Sequence, residues 1–335
     1  MNITIKDVAR ELGVSYSSIS RALNGKEGVS EATRASIVAA AKRMGYQPNE
    51  LARGLVNRIS KTVGVIIPDI NNPFFGEIVT GITRAAKDSE YDIFLCISDW
   101  DTKNEKEYLN TLSKKRVDGI ILKPAGNDSF ENYSDIRIPL MIIENHEENE
   151  KHGSVEVDNT YGGYLAAKHL IACGYKNLGF ILGIEDRFAS NQRLDGARKA
   201  LDEYGISLNK DAVIEGSFTI EGGRASAEML LDKNPEIDAI FGMNDLIALG
   251  VLQYLSEKKI SVPDQIGVIG FDNISYAGLP QIELTTINQP KNELGRLLFK
   301  NLLEEIQHKG DRKPVKIMMQ PELKTRKTTR NRNDQ

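Results

Sequence analysis

Ile5-Lys6-Asp7-Val8-Ala9-Arg10-Glu11-Leu12-Gly13-Val14-Ser15, running on into Tyr16-Ser17-Ser18-Ile19-Ser20-Arg21-Ala22-Leu23-Asn24-Gly25, decides how this chain is read. Two short helical patterns meet at a glycine-containing turn, an arrangement that lays a second helix into the major groove of DNA. Thr4 and Asp7 form a capping-box-like start, and Val8, Ala9 and Leu12 share one face at helical spacing. Gly13 supplies a permissive backbone for the turn, and Ser15 is placed to cap the second helix. Ile19, Ala22 and Leu23 would face the first helix. A third helix is expected after Ser30, with Ile37, Ala40, Ala41 and Met44 as its buried stripe. Three short helices on one small core make an all-α domain of about fifty residues.

The outward face of the second helix carries the chemistry. Arg21 can donate a bidentate pair to guanine, and Tyr16 and Ser17 can reach base edges or phosphate. Lys6, Ser18, Asn24 and Arg34 are of the types that bind phosphate and fix register. Residues 1–60 hold nine Lys+Arg against five Asp+Glu, a net of +4 within a chain of net −4. A basic head on an acidic body is the pattern of a local nucleic-acid footprint.

Residues 47–58, Gln-Pro-Asn-Glu-Leu-Ala-Arg-Gly-Leu-Val-Asn-Arg, follow. Pro48 ends the third helix and Asn49 can cap one short helix. That helix is too short to stand alone in water and folds only when docked. Leu51 and Leu55 lie on one face, and two such helices, one per subunit, fit a minor groove with Leu55 wedged between base steps.

Together these residues resemble the lactose-repressor/galactose-repressor (LacI/GalR) family of bacterial transcription regulators. The resemblance continues through Gly45-Tyr46-Gln47-Pro48-Asn49, Ala52-Arg53-Gly54-Leu55 and Thr62-Val63-Gly64-Val65-Ile66-Ile67-Pro68-Asp69. It extends to Asn71-Asn72-Pro73-Phe74-Phe75, Asp118-Gly119-Ile120-Ile121, Asn244-Asp245 and Gly270-Phe271-Asp272. It implies a homodimer on a pseudo-palindromic double-stranded operator, with Tyr16, Ser17 and Arg21 reading bases and Asn49, Ala52 and Leu55 at the hinge. Gly54 stands where the family more often has serine. The implied division is a helix-turn-helix head over 1–47, a hinge helix over 48–60 and an effector-binding body over 61–335. The body would hold one lobe of 61–158 with 290–319 and a second of 159–289 with 320–330.

Past residue 60 short β-branched runs alternate with helical patterns. Strands are expected at 62–68, 92–98, 119–122, 140–143, 178–182, 239–242 and 267–270. Most are continuous apolar runs, as when helices cover both faces of a parallel sheet. About 270 residues exceed one compact sheet, so two Rossmann-like lobes are expected, similar to the periplasmic sugar-binding proteins. A loose repetition of strand–helix units is visible, without an alignment of the halves. Ligands sit beyond the carboxyl ends of such strands, which nominates 69–75, 98–101, Glu144-Asn145, Asn244-Asp245 and Asp272. Aromatic rings with carboxylates, amides and an arginine suit a sugar. The resemblance places the effector on Asn72, Phe74, Glu144, Arg193, Phe218, Asn244, Asp272 and Gln289. Glu144-Asn145 stand where many sugar-binding relatives place Asp-Arg. Crossings between lobes are expected near Asp158, near Gln289-Pro290 and near 319–321, and the basic tail from Lys324 to Arg332 is expected to be solvated.

No hydrophobic run is long enough to span a bilayer, and no signal-peptide core is present; the resemblance then implies a bacterial cytoplasmic, nucleoid-associated protein. Cys96 and Cys173 are expected as reduced thiols, no metal or cofactor is called for, and no P-loop, dinucleotide-binding glycine turn or nucleophile elbow occurs. The expectation is a repressor of carbohydrate-utilisation genes controlled by a small sugar or sugar-like effector. A stand-alone sugar-binding module would lack residues 1–60, and an enzyme would need a base or nucleophile in the cleft.

Overall fold

The first helix starts where its chemistry dictates: the Thr4 amide and hydroxyl both donate to Asp7 Oδ2, at 3.0 and 2.6 Å. Those bonds hold the Asp7 carboxyl below its ordinary range. Helix α1 (Ile5–Leu12) ends at Gly13 in the left-handed region, φ +63°. Ser15 Oγ accepts from Ser18 N at 3.1 Å to start α2 (Tyr16–Leu23). Ser30 Oγ accepts from Thr33 N at 3.2 Å to start α3 (Glu31–Met44). Val8, Ile19, Ala22, Ile37 and Ala41 form the shared core, with Leu12, Leu23 and Met44 packed at its margin.

The structure is a computed structural model that describes residues 3–23, 27–46, 59–126, 133, 136–144, 151–183, 188–308 and 313–330. Almost all of the expected hinge helix, with Asn49, Ala52 and Leu55, lies outside the described residues, as does Asn24. The chain divides into two units, residues 1–60 and 61–335.

The second unit begins with β1 (Thr62–Ile67), α4 (Pro73–Asp88), β2 (Asp92–Ile97), α5 (Thr102–Lys114), β3 (Gly119–Leu122), β4 (Leu140–Ile143) and β5 (Gly153–Val157). There follow α6 (Asn159–Ala172), β6 (Leu178–Ile181), α7 (Phe188–Glu203), β7 (Val213–Ile214), α8 (Ile220–Lys233), β8 (Ala239–Gly242), α9 (Asp245–Glu257), β9 (Gly267–Asp272) and β10 (Thr285–Asn288). Helix α10 (Lys291–His308), β11 (Lys316–Met319) and β12 (Glu322–Lys324) complete it. Two six-stranded sheets result, in the orders β11-β5-β4-β3-β1-β2 and β12-β10-β9-β8-β6-β7. The orders correspond position by position, so the repetition that the residues alone do not align is explicit in the topology. The halves differ at one edge, where β11 joins β5 in parallel and β12 joins β10 antiparallel.

The chain passes from one sheet to the other between β5 and α6, between β10 and α10, and between β11 and β12. In the first lobe, Val63, Val65, Ile67, Met141 and Ile143 pack beneath α4 and α10, and this core also includes Leu246 and Ile274 of the second lobe. In the second lobe, helices α6 and α7 cross at glycines. A Cβ on Gly163 would fall 1.9 Å from Arg193 O, and one on Gly196 1.8 Å from Thr160 O. Only the absence of side chains lets these backbones approach so closely, and that approach seats Arg193.

Two expectations need correction. Strand β2 reads as a buried apolar run, yet Phe94 and Leu95 are exposed, because β2 is an edge strand; Cys96 beside them is half-buried. The tail is solvated only in part: Lys324, Thr325 and Lys327 are exposed, but the stretch to residue 330 is tied to the second lobe. Thr328 and Thr329 are buried, and Thr328 Oγ1 donates to Val268 O at 2.7 Å. Arg326 donates to Leu284 O at 2.6 Å and Asn273 Oδ1 at 2.7 Å, and Arg330 to Asp264 O at 2.6 Å. Side-chain hydrogen bonds, not hydrophobicity, order this segment, which is why a hydrophobicity reading misses it.

Candidate functional site

On the first unit, Lys6, Tyr16, Ser17 and Arg21 are exposed. Tyr16 is 55% exposed, far more than a tyrosine with a core role. The Ser18 hydroxyl is half-buried and bonds Ser15 Oγ at 2.9 Å. Arg34, expected at phosphate, donates from Nη1 to Ala22 O at 2.9 Å, clamping the end of α2 onto α3. The exposed stripe therefore consists of a guanidinium, a phenol and a hydroxyl on one helix face, the donor set that can contact base edges.

The second unit has a cleft between the carboxyl ends of its two sheets, with about 600 Å³ of space free of protein atoms, part of it open to solvent. Asn72 caps α4 by accepting from Phe74 N at 3.0 Å, and Asn244 caps α9 by accepting from Ile247 N at 2.8 Å. Each asparagine thus spends its carbonyl oxygen on its own helix and has an amide N–H2 to offer a ligand. Glu144 ends β4 with φ +56°, and Asp272 ends β9 with φ +109°. Asp99 and Trp100 beyond β2 are also left-handed, at +53° and +57°. Non-glycine residues held in this region cost of order 1–3 kcal/mol each, and such strain gathers at functional sites.

Arg193 is the centre of the second-lobe wall. Its Nε donates to Asn159 Oδ1 at 2.8 Å, Nη1 donates to Met243 O, and the guanidinium lies 3.7 Å from the Phe271 ring centroid. Nη1 is 3.9 Å from Asp272 Oδ1, long for a bond and close enough for attraction. Burial pulls the Arg193 ionisation down, opposed by Asp272, Glu144 and Asp245. Asp245 sits behind, accepting from Ile274 N at 2.8 Å and Thr286 Oγ1 at 2.5 Å; burial and then Asp272 push its carboxyl far up. Burial likewise raises Asp272, held back by Arg193 and Lys291. The Lys291 ammonium donates to Asp272 O at 2.6 Å and Asn273 O at 2.8 Å, and lies 3.5 Å from Glu77 of α4.

The cleft brings together Asn72, Phe74, Glu144, Arg193, Phe218, Asn244 and Asp272. Gln289 is not among its described lining residues. It stands behind, donating from Nε2 to Asp272 Oδ1 at 2.7 Å. Lys123, Trp100, Phe75 and Phe188 also line the cleft, outside the expected set. Lys123 bonds Glu144 Oε2 at 2.6 Å, both side chains nearly buried. A lysine closing the apolar run Gly119-Ile120-Ile121-Leu122 is a legible signal for it. Trp100 falls in the nominated segment 98–101, whereas Phe188 carries no signal of its own. Among the described residues no cluster of metal-ligating side chains occurs.

Comparison with known proteins returns two family matches. A family described as "Bacterial regulatory proteins, lacI family" matches residues 4–49, and one described as "Periplasmic binding proteins and sugar binding domain of LacI family" matches residues 60–327. The HTH-type transcriptional regulator DegA of Bacillus subtilis is 34% identical, over 98% of both chains. The HTH-type transcriptional repressor PurR of Photobacterium profundum is 33% identical, over 98% of this chain and 99% of that protein. A solved structure of the transcriptional regulator CelR in complex with cellobiose superposes with a TM-score of 0.75, at 28% identity, over 98% of this chain and 100% of that chain.

Proposed function

We propose that this chain, which belongs to the LacI family of bacterial regulatory proteins, represses transcription as a homodimer on operator DNA and lets go when a small sugar fills the cleft. Residues 1–47 read the operator, 48–60 connect, and 61–335 sense. The observation carrying the sugar assignment is the pairing of Arg193, Asp272 and Glu144 with Phe74, Phe218 and Trp100 around one cleft. Carboxylates and a guanidinium match adjacent hydroxyls, while aromatic faces match the C–H face of a sugar ring. The cellobiose bound by the CelR regulator is in keeping with that chemistry. Gln289 serves by holding Asp272.

The mechanism is linkage. A sugar that prefers one arrangement of the lobes disfavours the dimer geometry that seats both heads on the operator, and by reciprocity operator weakens sugar binding by the same factor. Acting on nucleoid DNA, the protein works in the bacterial cytoplasm; among the described residues no helix is long and apolar enough to cross a membrane.

Two measurements test this reading. Thermal unfolding against a panel of neutral sugars and sugar phosphates should reveal one stabilising class, by ~2.7 kcal/mol at a hundredfold excess over Kd. Arg21→Ala should cost ~1–3 kcal/mol on promoter DNA from the protein's own locus and far less on random DNA, measured by anisotropy. Equal losses on both DNAs would refute base reading by Arg21.

A further inference from the structure

Trp100, the one tryptophan of the chain, carries the strongest unassigned feature of the cleft. It follows β2 of the first lobe, in the turn where Asp99 and Trp100 are both left-handed. From there its indole stacks on Phe218 of the second lobe, with centroids 5.8 Å apart and planes at 25°. Phe75 meets the indole edge-on at 5.9 Å and Phe74 meets Phe75 at 5.1 Å, so an aromatic series runs from the start of α4 across the cleft. On the far side Phe218 lies flush against backbone: a Cβ on Gly183 would fall 2.0 Å from its ring. Phe218 is therefore backed by a wall, while Trp100 projects from a turn and is only half-buried.

A sugar ring held between two aromatic faces needs ~7–8 Å between them, twice the 3.5–4.0 Å contact distance of carbon atoms. At 5.8 Å the Trp100–Phe218 pair leaves no such gap. We propose that Trp100 is a ligand-binding and specificity-determining residue that acts as an aromatic latch between the lobes. The indole gives up Phe218 and takes the C–H face of the sugar ring in its place. Ligand and latch compete for the same ring faces, so binding breaks a contact between the lobes. The class of ligand this selects is a neutral sugar with one continuous C–H face, as in a pyranose with equatorial hydroxyls. The inference rests on the sugar reading of the cleft and adds the residue that couples occupancy to lobe geometry.

The full chain tests it in two arms, read by Trp100 emission and, in the variants that lack the indole, by thermal unfolding. Acrylamide quenching without sugar probes the latch alone. Phe218→Ala should raise the quenching constant about twofold, since one face of the indole is uncovered, and an unchanged constant would overturn the stack. The second arm titrates D-ribose, D-glucose and cellobiose, with thermal unfolding as an independent measure of binding. Any of these that stabilises the protein should shift Trp100 emission with the same midpoint. Trp100→Ala should weaken that sugar about tenfold and Trp100→Phe by only about threefold. A stabilising sugar that leaves emission unaltered, or that binds Trp100→Ala as tightly as wild type, would overturn the proposal. If none of the three stabilises the protein, the ligand class named here is overturned, and the quenching arm still decides the latch; stabilisation by members of the wider panel then decides the sugar reading separately.

Discussion

At Lys123 and Glu144 two opposite charges share a nearly dry wall, 2.6 Å apart. Such a pair is fragile toward loss of one member, because the survivor keeps its desolvation cost without compensation. Lys123→Met should therefore destabilise the protein by about 3–5 kcal/mol, while Lys123→Met/Glu144→Met should recover most of the loss; urea unfolding of the three proteins checks it. Glu305 on α10 shows the same physics without a partner. Its Oε1 is buried with no hydrogen bond among the described residues, and burial pushes the carboxyl from 4.5 up to about 7. The sign follows from linkage. A carboxyl whose folded value is raised costs stability as pH climbs from the unfolded to the folded value. Glu305→Gln should match wild type near pH 4.5 and exceed it at pH 8, on the order of 1 kcal/mol after solvent screening, since the group is partly exposed. Melting curves across that range provide the test, and a gap that is constant with pH would contradict it. At this scale a polar residue that closes an apolar run was legible, as with Glu144 and Asp272; Lys123 carries the same signal and was not among those expected. Sequence reasoning named Arg34 for phosphate and Gln289 for the effector but gave no sign of their bonds to Ala22 O and Asp272, which depend on partners 12 and 17 residues away.

Helix α7 places Arg193, and its position is set by glycines. Gly196→Ala would drive a methyl group into Thr160 O, 1.8 Å from an unshifted Cβ. The helices must part, at a cost of about 1–3 kcal/mol, typical of overpacking. Because Arg193 lies one turn before Gly196 on α7, the same change should weaken sugar binding, which calorimetry can separate from the loss of stability. Strands β1, β3, β4, β6, β8 and β9 were legible from the sequence because their apolar runs are local properties. Strands β5, β7, β10, β11 and β12 were not among those expected. Most are short, and β11, β12 and β7 lie at sheet edges or are bounded by half-exposed residues, so their identity comes from a neighbour rather than from their own pattern. Strand β2 shows the converse: its apolar residues fit a covered strand, and only its place in the sheet leaves Phe94 and Leu95 exposed.

Across the whole molecule, Lys291 ties one lobe to the other. It heads α10 on the first lobe, grips the carbonyls of Asp272 and Asn273 on the second, and faces Glu77 of α4. Glu77→Gln removes the charge at 3.5 Å while leaving the lining of the cleft intact. The expected result is a smaller sugar-induced drop in operator affinity, by ~0.5–2 kcal/mol of coupling, with near-normal operator affinity in the absence of sugar. Operator anisotropy with and without saturating sugar reports it. The two-lobed plan was legible because about 270 residues cannot share one sheet. The equivalence of the lobes was not, since it resides in strand order and not in residue identity. One consequence of that order concerns biosynthesis. The outermost strand beside β5 and the one beside β10 are β11 and β12, translated after every other strand, and residues 325–330 then pin Val268, Leu284 and Asn273. On the ribosome each half must wait, with a raw sheet margin, for residues 316–324. A frameshift between residues 310 and 316 would thus maim both halves together instead of sparing the earlier one.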